Sequence, residues 1–375
     1  MKKKLFGICL VLTLILTACG NAKVEEKGEV DKEIETTTQE NKSNDSKTVE
    51  KETKVAETEE KTEEKTQDEK LSIYLSGPEA MMKKLETSFE KERGDVVDFL
   101  LMSCGQVRNK VWTEKEAGNI QADIVWGSDP MLFNKLDNEG LLATLDLENE
   151  KYLDESIIIE SDNYLMVNER YVTLMYNSDN ISDCPKSYEQ LKNEKYANKV
   201  VMADAGQSAT AFSIASCIYQ IENNDINYFK GLKDNGIKLS KSNGQVPSLI
   251  IEGQFDIGVG PHDAFVRLTK KAKKEGYEIP LKLIWPEEGA IAIRRPMGII
   301  KDENRSEENQ KIAEEFVNFM LSKEAQKITE QFGFVSVRND IENTYLPKDV
   351  KKQLIDWNKA TECEGEFKKA YEEIF

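Results

Sequence analysis

Between residues 71 and 130, three short apolar segments are each followed by a small polar turn that contains glycine. The segments are Leu71–Leu75, 96–102 and 122–126. Apolar residues at helical spacing fill the stretches between them, at 79–93 and 107–117. Strands and helices that alternate in this way predict a parallel sheet with the three turns along one edge. The pattern therefore predicts an α/β fold.

The polar residues of these turns are candidates for binding an anion. They are Ser76 and Gly77 after the first segment, Ser103 and Gln106 after the second, and Ser128 after the third. Backbone N–H groups are unpaired where a helix begins, and the helix dipole favours negative charge there. Each serine could instead serve only as a helix cap.

A similar polar loop precedes the apolar helical run at 211–220. Its candidate residues are Gly206, Gln207, Ser208 and Thr210. A loop of this kind at the start of a helix suits a phosphate or a carboxylate. The alternative is again a helix cap without a ligand.

His262 is the only histidine of the chain, and Asp263 follows it directly. Both come after a short apolar stretch and a Gly-Pro pair, where a strand is expected to stop. A histidine beside an acceptor-only carboxylate suits the hydroxyls of a sugar or an amine. The alternative is a structural histidine with satisfied hydrogen bonds.

The segment 285–295 holds further candidates. Glu288, or its neighbour Glu287, could add a carboxylate to the site, and both could equally be solvated. Trp285 is the best candidate for stacking on a ligand. Adjacent strand residues point to opposite faces, so at most one of Arg294 and Arg295 can face a ligand. The sequence does not decide which.

The N-terminus has the pattern of a secretion signal. Three lysines precede an apolar run that is too short to span a bilayer, and the small residues before Cys19 are typical of a cleavage site. A cysteine at this place resembles the bacterial lipobox, which implies removal of 1–18 and lipidation of Cys19. An ordinary secretory signal or an uncleaved anchor are the alternatives.

Residues 20–70 predict a disordered tether. This stretch contains 17 Asp and Glu against 10 Lys, and no aromatic residue. Such a composition cannot bury enough apolar surface to offset its conformational entropy, although the Glu-Lys pattern could form transient helix. The tether would hold the folded part away from a membrane.

The rest of the chain, 71–375, is long enough to require two lobes. The net charge of the whole chain, −18, makes nucleic acid an unsuitable partner. The six cysteines show no metal-ligand spacing, so no metal site and no cofactor are expected.

Several segments taken together resemble the type II periplasmic solute-binding proteins of ABC importers. The matching segments include, in order, SGPEAMMKKLETSFEKERG, QADIVWGSDP, NERYVTLMYNSD, KYANKVVMADAGQSATA, GVGPHDAF, RRPMGIIK and GFVSVRND. They extend over about 71–345. The subgroup that they resemble includes binders of ferric iron and of phosphorylated small molecules, such as hexose phosphates and aminoethylphosphonate.

The resemblance implies two lobes that close over a solute at a hinge, with an interlobe ligand cleft. The first lobe would comprise about 71–174 and 293–345, the second about 175–292, and C-terminal helices 346–375. The segment 172–176 would be one hinge strand, and 350–375 should be an amphipathic helix packed on the body. The protein would be a monomeric, lipid-anchored receptor on the outer face of the cell membrane that delivers its solute to a permease and ATPase.

The resemblance also bears on the solute. Iron-binding relatives carry an adjacent tyrosine pair where this chain has His262 and Asp263, and sugar-phosphate binders use a similar His-Asp pair with a later glutamate. A phosphorylated organic solute is therefore expected, and ferric iron is the alternative. Two alternatives belong to other classes of function: a ligand sensor, and a hydrolase that uses Cys104 or Ser76 with the His-Asp pair.

Overall fold

The computed structural model describes residues 70–148, 150–153, 161–353 and 355–375. The predicted signal, Cys19 and the tether lie outside these residues. Within them, no helix is both long enough and apolar enough to cross a membrane. The described residues fold into a mixed α/β body with a twisted sheet.

Eleven strands lie in the described part of the chain. Their bounds are β1 Leu71–Leu75, β2 Val97–Leu101, β3 Ile124–Trp126, β4 Leu165–Asn177, β5 Val200–Ala203, β6 Lys238–Ser240, β7 Ile257–Pro261, β8 Leu281–Ile284, β9 Ala290–Ile299, β10 Val335–Ser336 and β11 Lys352–Gln353.

The α-helices of the same residues also number eleven. Their bounds are α1 Glu79–Glu90, α2 Cys104–Glu116, α3 Pro130–Asn138, α4 Ala209–Ile221, α5 Asn227–Asp234, α6 Gln245–Ile251, α7 His262–Glu275, α8 Glu307–Met320, α9 Lys323–Gln331, α10 Trp357–Glu362 and α11 Glu364–Ile374.

The first part of the sheet confirms the prediction from the alternating pattern. Strand β1 pairs in parallel with β2 on one side and with β3 on the other. The turns after these strands therefore meet at one edge, as expected for parallel strands. Helix α2 begins three residues before the predicted 107–117, because Ser103 caps it with its side chain.

Two long strands connect the parts of the body. Strand β4 is central and pairs antiparallel with β9 along Leu165–Val172 and with β7 along Val172–Tyr176. The predicted strand at 172–176 is therefore only the second half of a longer element. The main order across the sheet is β2-β1-β3-β9-β4-β7-β5-β6.

Two large hydrophobic clusters lie on this frame and correspond to the two lobes. The first is built from β1–β3, α1–α3, α8 and α9, around large side chains such as Phe89, Trp126 and Phe316. The second is built around α4, α5 and β7, with Phe212, Tyr228 and Phe229. The body is thus a two-lobed α/β fold, and the residues at which the lobes meet stay a prediction.

The C-terminal segment is helical over most of its length, as the amphipathic pattern at 350–375 predicts. It contains the short strand β11 and then the two helices α10 and α11. Asp356 caps α10 with its carboxylate, which fixes the start of the helix at Trp357. The helices do pack on the body, since Trp357, Phe367 and Tyr371 belong to the second hydrophobic cluster.

Candidate functional site

Arg295 on β9 makes hydrogen bonds to two of the three turns that follow β1, β2 and β3. Its Nε donates to the Ser128 Oγ at 3.0 Å, and its Nη1 donates to the Asn168 Oδ1 at 3.3 Å. Its Nη2 donates to the backbone carbonyl of Ser76. The arginine is only 1% exposed. Ser76 and Ser128 are therefore positioned by one buried cation.

Aromatic rings cover both sides of this cation. The guanidinium carbon of Arg295 lies 4.6 Å from the ring centre of Trp126 and 4.6 Å from that of Phe334. Burial and the nearby Arg170 both lower the pKa of Arg295. The ring faces and the neutral hydrogen-bond acceptors stabilise the positive charge of Arg295 without neutralising it. An anion that binds nearby could therefore pair with this charge.

The pairing of β9 with β4 settles which arginine joins the turns. Arg295 lies opposite Asn168, and Arg294 lies opposite Glu169. Successive strand residues point to opposite faces. Arg294 accordingly donates from its Nε to the Glu169 Oε1 at 3.2 Å, on the other face of the sheet from Arg295.

The turns after β1, β2 and β3 are in direct contact. The Cys104 Sγ lies 2.9 Å from the Ser76 Oγ and accepts the backbone N–H of Ser128 at 3.3 Å. Gly77 is close to the same cluster, because a Cβ there would lie 2.3 Å from the Met82 Cε and 3.1 Å from the Arg295 Nη2. Ser76, Gly77 and Ser128 are thus brought together as predicted from strand order.

Ser103 and Gln106 have another use. The Ser103 Oγ accepts the backbone N–H of Gln106 at 3.3 Å, and the Gln106 Oε1 accepts the backbone N–H of Ser103 at 3.0 Å. This reciprocal pair is a capping box at the start of α2. The capping alternative therefore accounts for both side chains, and their binding role stays a prediction without support from these contacts.

A second group of charges surrounds Arg170 on β4. The Arg170 Nη2 donates to the Thr210 Oγ1 at 3.2 Å, near the start of α4. The Nη1 lies 3.9 Å from the Asp263 Oδ1. The Nε is buried and has no hydrogen-bond partner in the described part of the chain. Arg170 thus brings Thr210 and Asp263 together and retains a free donor.

Asp263 is held in its charged form by two arginines. Arg267 follows it by one turn of α7 and donates to its Oδ2. Burial alone would raise the pKa of this carboxyl, but Arg267 and Arg170 outweigh burial, and the pKa is lowered. The Asp263 Oδ1 accepts no hydrogen bond from any described residue.

His262 is fully buried between β4 and the aromatic ring of Trp285. Its Nδ1 accepts the backbone N–H of Tyr171 at 3.0 Å. The same Nδ1 lies 3.3 Å from the Tyr171 carbonyl, but the N–H is closer and can only donate, so Nδ1 acts as the acceptor. Burial lowers the pKa of His262, which favours the neutral ring with its proton on Nε2. That Nε2 has no hydrogen-bond partner among the described residues.

The loop before α4 brings only Thr210 to the other candidates. Gly206 donates its backbone N–H to Asp204 at 2.9 Å, and the Gln207 Nε2 donates to the same carboxylate at 2.7 Å. The Ser208 Oγ caps α4 by accepting the backbone N–H of Ala211 at 3.3 Å. These three residues build the loop that positions Thr210.

Glu288 has a different neighbourhood. Its Oε1 accepts the backbone N–H of Glu189 at 3.3 Å. Burial together with the neighbouring Glu189 raises the pKa of Glu222 to about 7. Glu222 directly follows α4, roughly 18 Å along the helix axis from Thr210. Glu288 therefore belongs to a cluster of carboxylates at the far end of α4. Trp285, in contrast, lies 5.7 Å from His262 between ring centres.

Five buried polar atoms at Arg170, Arg295 and their neighbours have no hydrogen-bond partner among the described residues, and they define what could bind there. Four of them are donors and one is an acceptor: the Trp126 Nε1, the Asn168 Nδ2, the Arg170 Nε, the His262 Nε2 and the Asp263 Oδ1. Buried polar atoms are normally paired, so an unpaired set at a site points to a ligand. Excess donors beside several arginines suit an anion with oxygen acceptors.

Three residues of the site were not predicted from the sequence: Arg170, Arg267 and Asn168. Arg267 lies four residues after Asp263, which is the spacing of an ion pair on a helix, and this signal was available. Arg170 and Asn168 alternate along β4, but nothing local distinguishes them from other strand residues.

Among the residues that the structure describes, no three or more histidine, cysteine, aspartate or glutamate side chains lie close enough together to hold a metal ion. Guanidinium groups occupy the site instead, and they would repel a cation.

Comparison with known proteins supports the fold and shows the family. Residues 119–363 match the family described as bacterial extracellular solute-binding protein. A Salmonella typhimurium protein, provisionally named a 2-aminoethylphosphonate-binding periplasmic protein, is 26% identical over 264 residues, covering 68% of this chain and 73% of that protein.

Two solved structures share the fold. Iron-bound HitA from Pseudomonas aeruginosa is 19% identical with a TM-score of 0.70, and the match covers 81% of this chain and 99% of HitA. AfuA from Actinobacillus pleuropneumoniae, with bound fructose-6-phosphate, is 21% identical with a TM-score of 0.68, and the match covers 81% and 97%. At these identities the comparison establishes the architecture and not the ligand.

Proposed function

Because this chain belongs to the bacterial extracellular solute-binding proteins and is the solute receptor of an ABC importer, we propose that its solute is a small organic phosphonate or phosphate ester. An aminoalkylphosphonate, with 2-aminoethylphosphonate as the first candidate, fits the site best. The receptor has no catalytic role in this account, and its partners are the permease and the ATPase.

The observation that carries this proposal is the charge of the site. Arg170, Arg267 and Arg295 lie around a single carboxylate, Asp263, in a chain whose net charge is −18. Three buried or half-buried cations against one anion leave about two positive charges to be matched by a ligand. A phosphonate dianion supplies that charge and accepts hydrogen bonds in the geometry that guanidinium groups prefer.

The unpaired oxygen of Asp263 supports an amine on the same solute. Its Oδ1 can accept a hydrogen bond that no described residue donates, and the carboxylate is ionised. An ammonium group two carbons from a phosphonate would reach Asp263 while the phosphonate faces Arg170. The name of the Salmonella relative agrees with this choice.

A hexose phosphate is the second candidate. AfuA carries bound fructose-6-phosphate, and sugar hydroxyls could donate to Asp263 and accept from the His262 Nε2. Ferric iron is less suitable, because its cation would face three guanidinium groups. Ferric iron is still included in the test, because HitA and other ferric-binding proteins share the fold.

The location follows in part from the family, whose proteins act outside the cytoplasm. We further propose that Cys19 is lipidated after removal of 1–18 and that the receptor is a monomer held at the outer face of the membrane. Labelling of whole cells with an alkyne fatty acid tests the anchor: wild-type protein should be labelled, and a Cys19→Ala variant should not.

The solute is tested by thermal unfolding of the purified protein with 2-aminoethylphosphonate, fructose 6-phosphate, inorganic phosphate or ferric citrate. A ligand present at 100 times its dissociation constant stabilises the folded state by about 2.7 kcal/mol. We expect the largest shift with 2-aminoethylphosphonate. A shift with ferric citrate and none with the phosphorus compounds would reject the proposal.

A further inference from the structure

Glu364, at the start of α11, contacts two helices of the first lobe. Its carboxylate accepts a hydrogen bond from the Arg108 Nη1 on α2 and forms an ion pair with the Lys135 Nζ on α3. Arg108 also binds Asp129, the cap of α3, through two hydrogen bonds of 2.6 Å each. We call the turns after β1, β2 and β3 the ligand turns. The Glu364 carboxylate thus connects α11 to α2 and α3, which begin directly after the second and third of these turns.

The helix that carries Glu364 belongs to the other lobe. Phe367 stacks on Tyr219 of α4 at 4.8 Å between ring centres and lies 5.5 Å from Phe212. These residues are part of the second hydrophobic cluster. Glu364 is therefore anchored in the second lobe and holds charges of the first.

Two further contacts support this connection. The Asn134 Nδ2 on α3 donates to the Asn358 Oδ1 on α10 at 3.0 Å. Helix α2 also packs against α4. The contacts between the lobes thus include α2, α3 and the C-terminal helices.

The ion pairs around Glu364 are only partly exposed to solvent. The side chains of Arg108 and Glu364 are 17% and 12% exposed, and that of Asp129 is 3% exposed. Burial alone would raise the pKa of Glu364, but Arg108 and Lys135 outweigh it and keep the pKa below the usual value. Desolvation offsets much of the attraction in a mostly buried pair, but loss of one partner is costly because it leaves the other charge uncompensated.

We propose that Glu364 is a positioning residue for solute capture: it ties the C-terminal helices of the second lobe to α2 and α3, and so favours the closed arrangement in which the ligand turns face Arg170 and Asp263. The proposal rests on solute binding between these two groups. Since hinge closure of such receptors is an equilibrium, a contact made only on closing raises the affinity.

The test compares Glu364→Gln with Glu366→Gln, which removes the same charge from an exposed position two residues later on α11. Titration calorimetry with 2-aminoethylphosphonate should give a dissociation constant about tenfold higher for Glu364→Gln and an unchanged value for Glu366→Gln. A tenfold change corresponds to about 1.4 kcal/mol. Equal dissociation constants for the two variants would overturn the proposal.

Small-angle X-ray scattering without ligand gives an independent readout. The radius of gyration of Glu364→Gln should exceed that of the wild type, and that of Glu366→Gln should not. If the wild type fails to bind 2-aminoethylphosphonate, the proposed solute is wrong and scattering alone decides the role of Glu364. An unchanged radius of gyration would then reject it.

A second variant covers the case in which Glu364→Gln does not fold. Lys135 is 35% exposed, so Lys135→Ala removes one of the two contacts without opening a cavity. It should raise the dissociation constant about threefold and move the radius of gyration in the same direction. No change in either quantity would contradict the proposal.

Discussion

Arg170 and Asp263 lie beside each other without a hydrogen bond: the Nη1 and the Oδ1 are 3.9 Å apart. The arginine keeps a buried Nε and the aspartate a buried oxygen that no described residue satisfies. A donor and an acceptor are therefore free at adjoining positions. A ligand with an anionic and a cationic end could use both at once.

Arg170→Met should greatly weaken binding of the phosphorus ligand. The change removes charge-assisted hydrogen bonds worth about 1.5–3 kcal/mol each, so the dissociation constant should rise roughly 10- to 100-fold. Titration calorimetry measures this. Arg93→Met is the matched control, because Arg93 pairs with Glu315 at a half-exposed position of the first lobe. Equal affinities for the two variants would remove Arg170 from the site.

His262→Asn separates the structural role of the histidine from its ligand role. The Asn Oδ1 can replace Nδ1 as acceptor for the Tyr171 N–H, while the donor on Nε2 is lost. We expect a melting temperature within a few degrees of the wild type and an affinity about tenfold lower. His262→Ala should lower both the melting temperature and the affinity, because the buried N–H of Tyr171 would also be left unpaired at a cost of about 1–3 kcal/mol.

If His262→Asn binds 2-aminoethylphosphonate as tightly as the wild type, Nε2 makes no contact with the ligand. His262 would then be a structural histidine, the alternative that its sequence context already allowed.

Gly77→Ala tests the close packing of the first turn. The new Cβ would lie 2.3 Å from the Met82 Cε and 3.1 Å from the Arg295 Nη2, so the end of the Met82 side chain must move away and Arg295 must shift slightly. Because Arg295 also positions Ser128, the affinity should fall about fivefold or more, by the cost of a misplaced turn. Gly365→Ala is the control, since its Cβ would meet nothing within 4 Å. Calorimetry that finds Gly77→Ala unchanged would contradict the account of this turn.

The carboxylates at the far end of α4 predict a pH dependence of stability. Burial and Glu189 raise the pKa of Glu222 from 4.5 to about 7 in the folded state. The folded state therefore binds more protons than the unfolded state between these values, and stability is lost as the pH rises through them. Allowing for the partial exposure of Glu222, the loss should be about 1 kcal/mol.

Urea unfolding at pH 5 and pH 7.5 measures this effect. Glu222→Gln should reduce the difference in free energy of unfolding between the two pH values. A variant with the same pH dependence as the wild type would show that Glu222 does not titrate in this range.

Local patterns were sufficient for the first-lobe half of the site. The bounds of β1 and the shared edge of the turns follow from apolar segments and parallel pairing, so Ser76 and Ser128 could be expected at the same edge of the sheet. The choice between Arg294 and Arg295 depended on the register between β9 and β4, which no local pattern encodes.

The second half depended on tertiary pairing. Arg170 becomes a site residue only because β4 lies beside β7 and the start of α7. Glu288 follows Trp285 closely in sequence, yet the backbone of Glu189 binds its carboxylate. The bounds of α10 and α11 were not predicted, because apolar spacing continues across them, while the Asp356 cap fixes where α10 begins.

The central claim is that arginines bind a phosphonate while Asp263 binds an amine. It is tested most directly by calorimetric titration of the wild-type protein with 2-aminoethylphosphonate, ethylphosphonate and ethanolamine. We predict tight binding of the first, binding of the second about 10- to 100-fold weaker because its amine is absent, and none of the third. Equal affinities for the first two would contradict the role of Asp263, and binding of ferric citrate with no binding of either phosphonate would contradict the whole account.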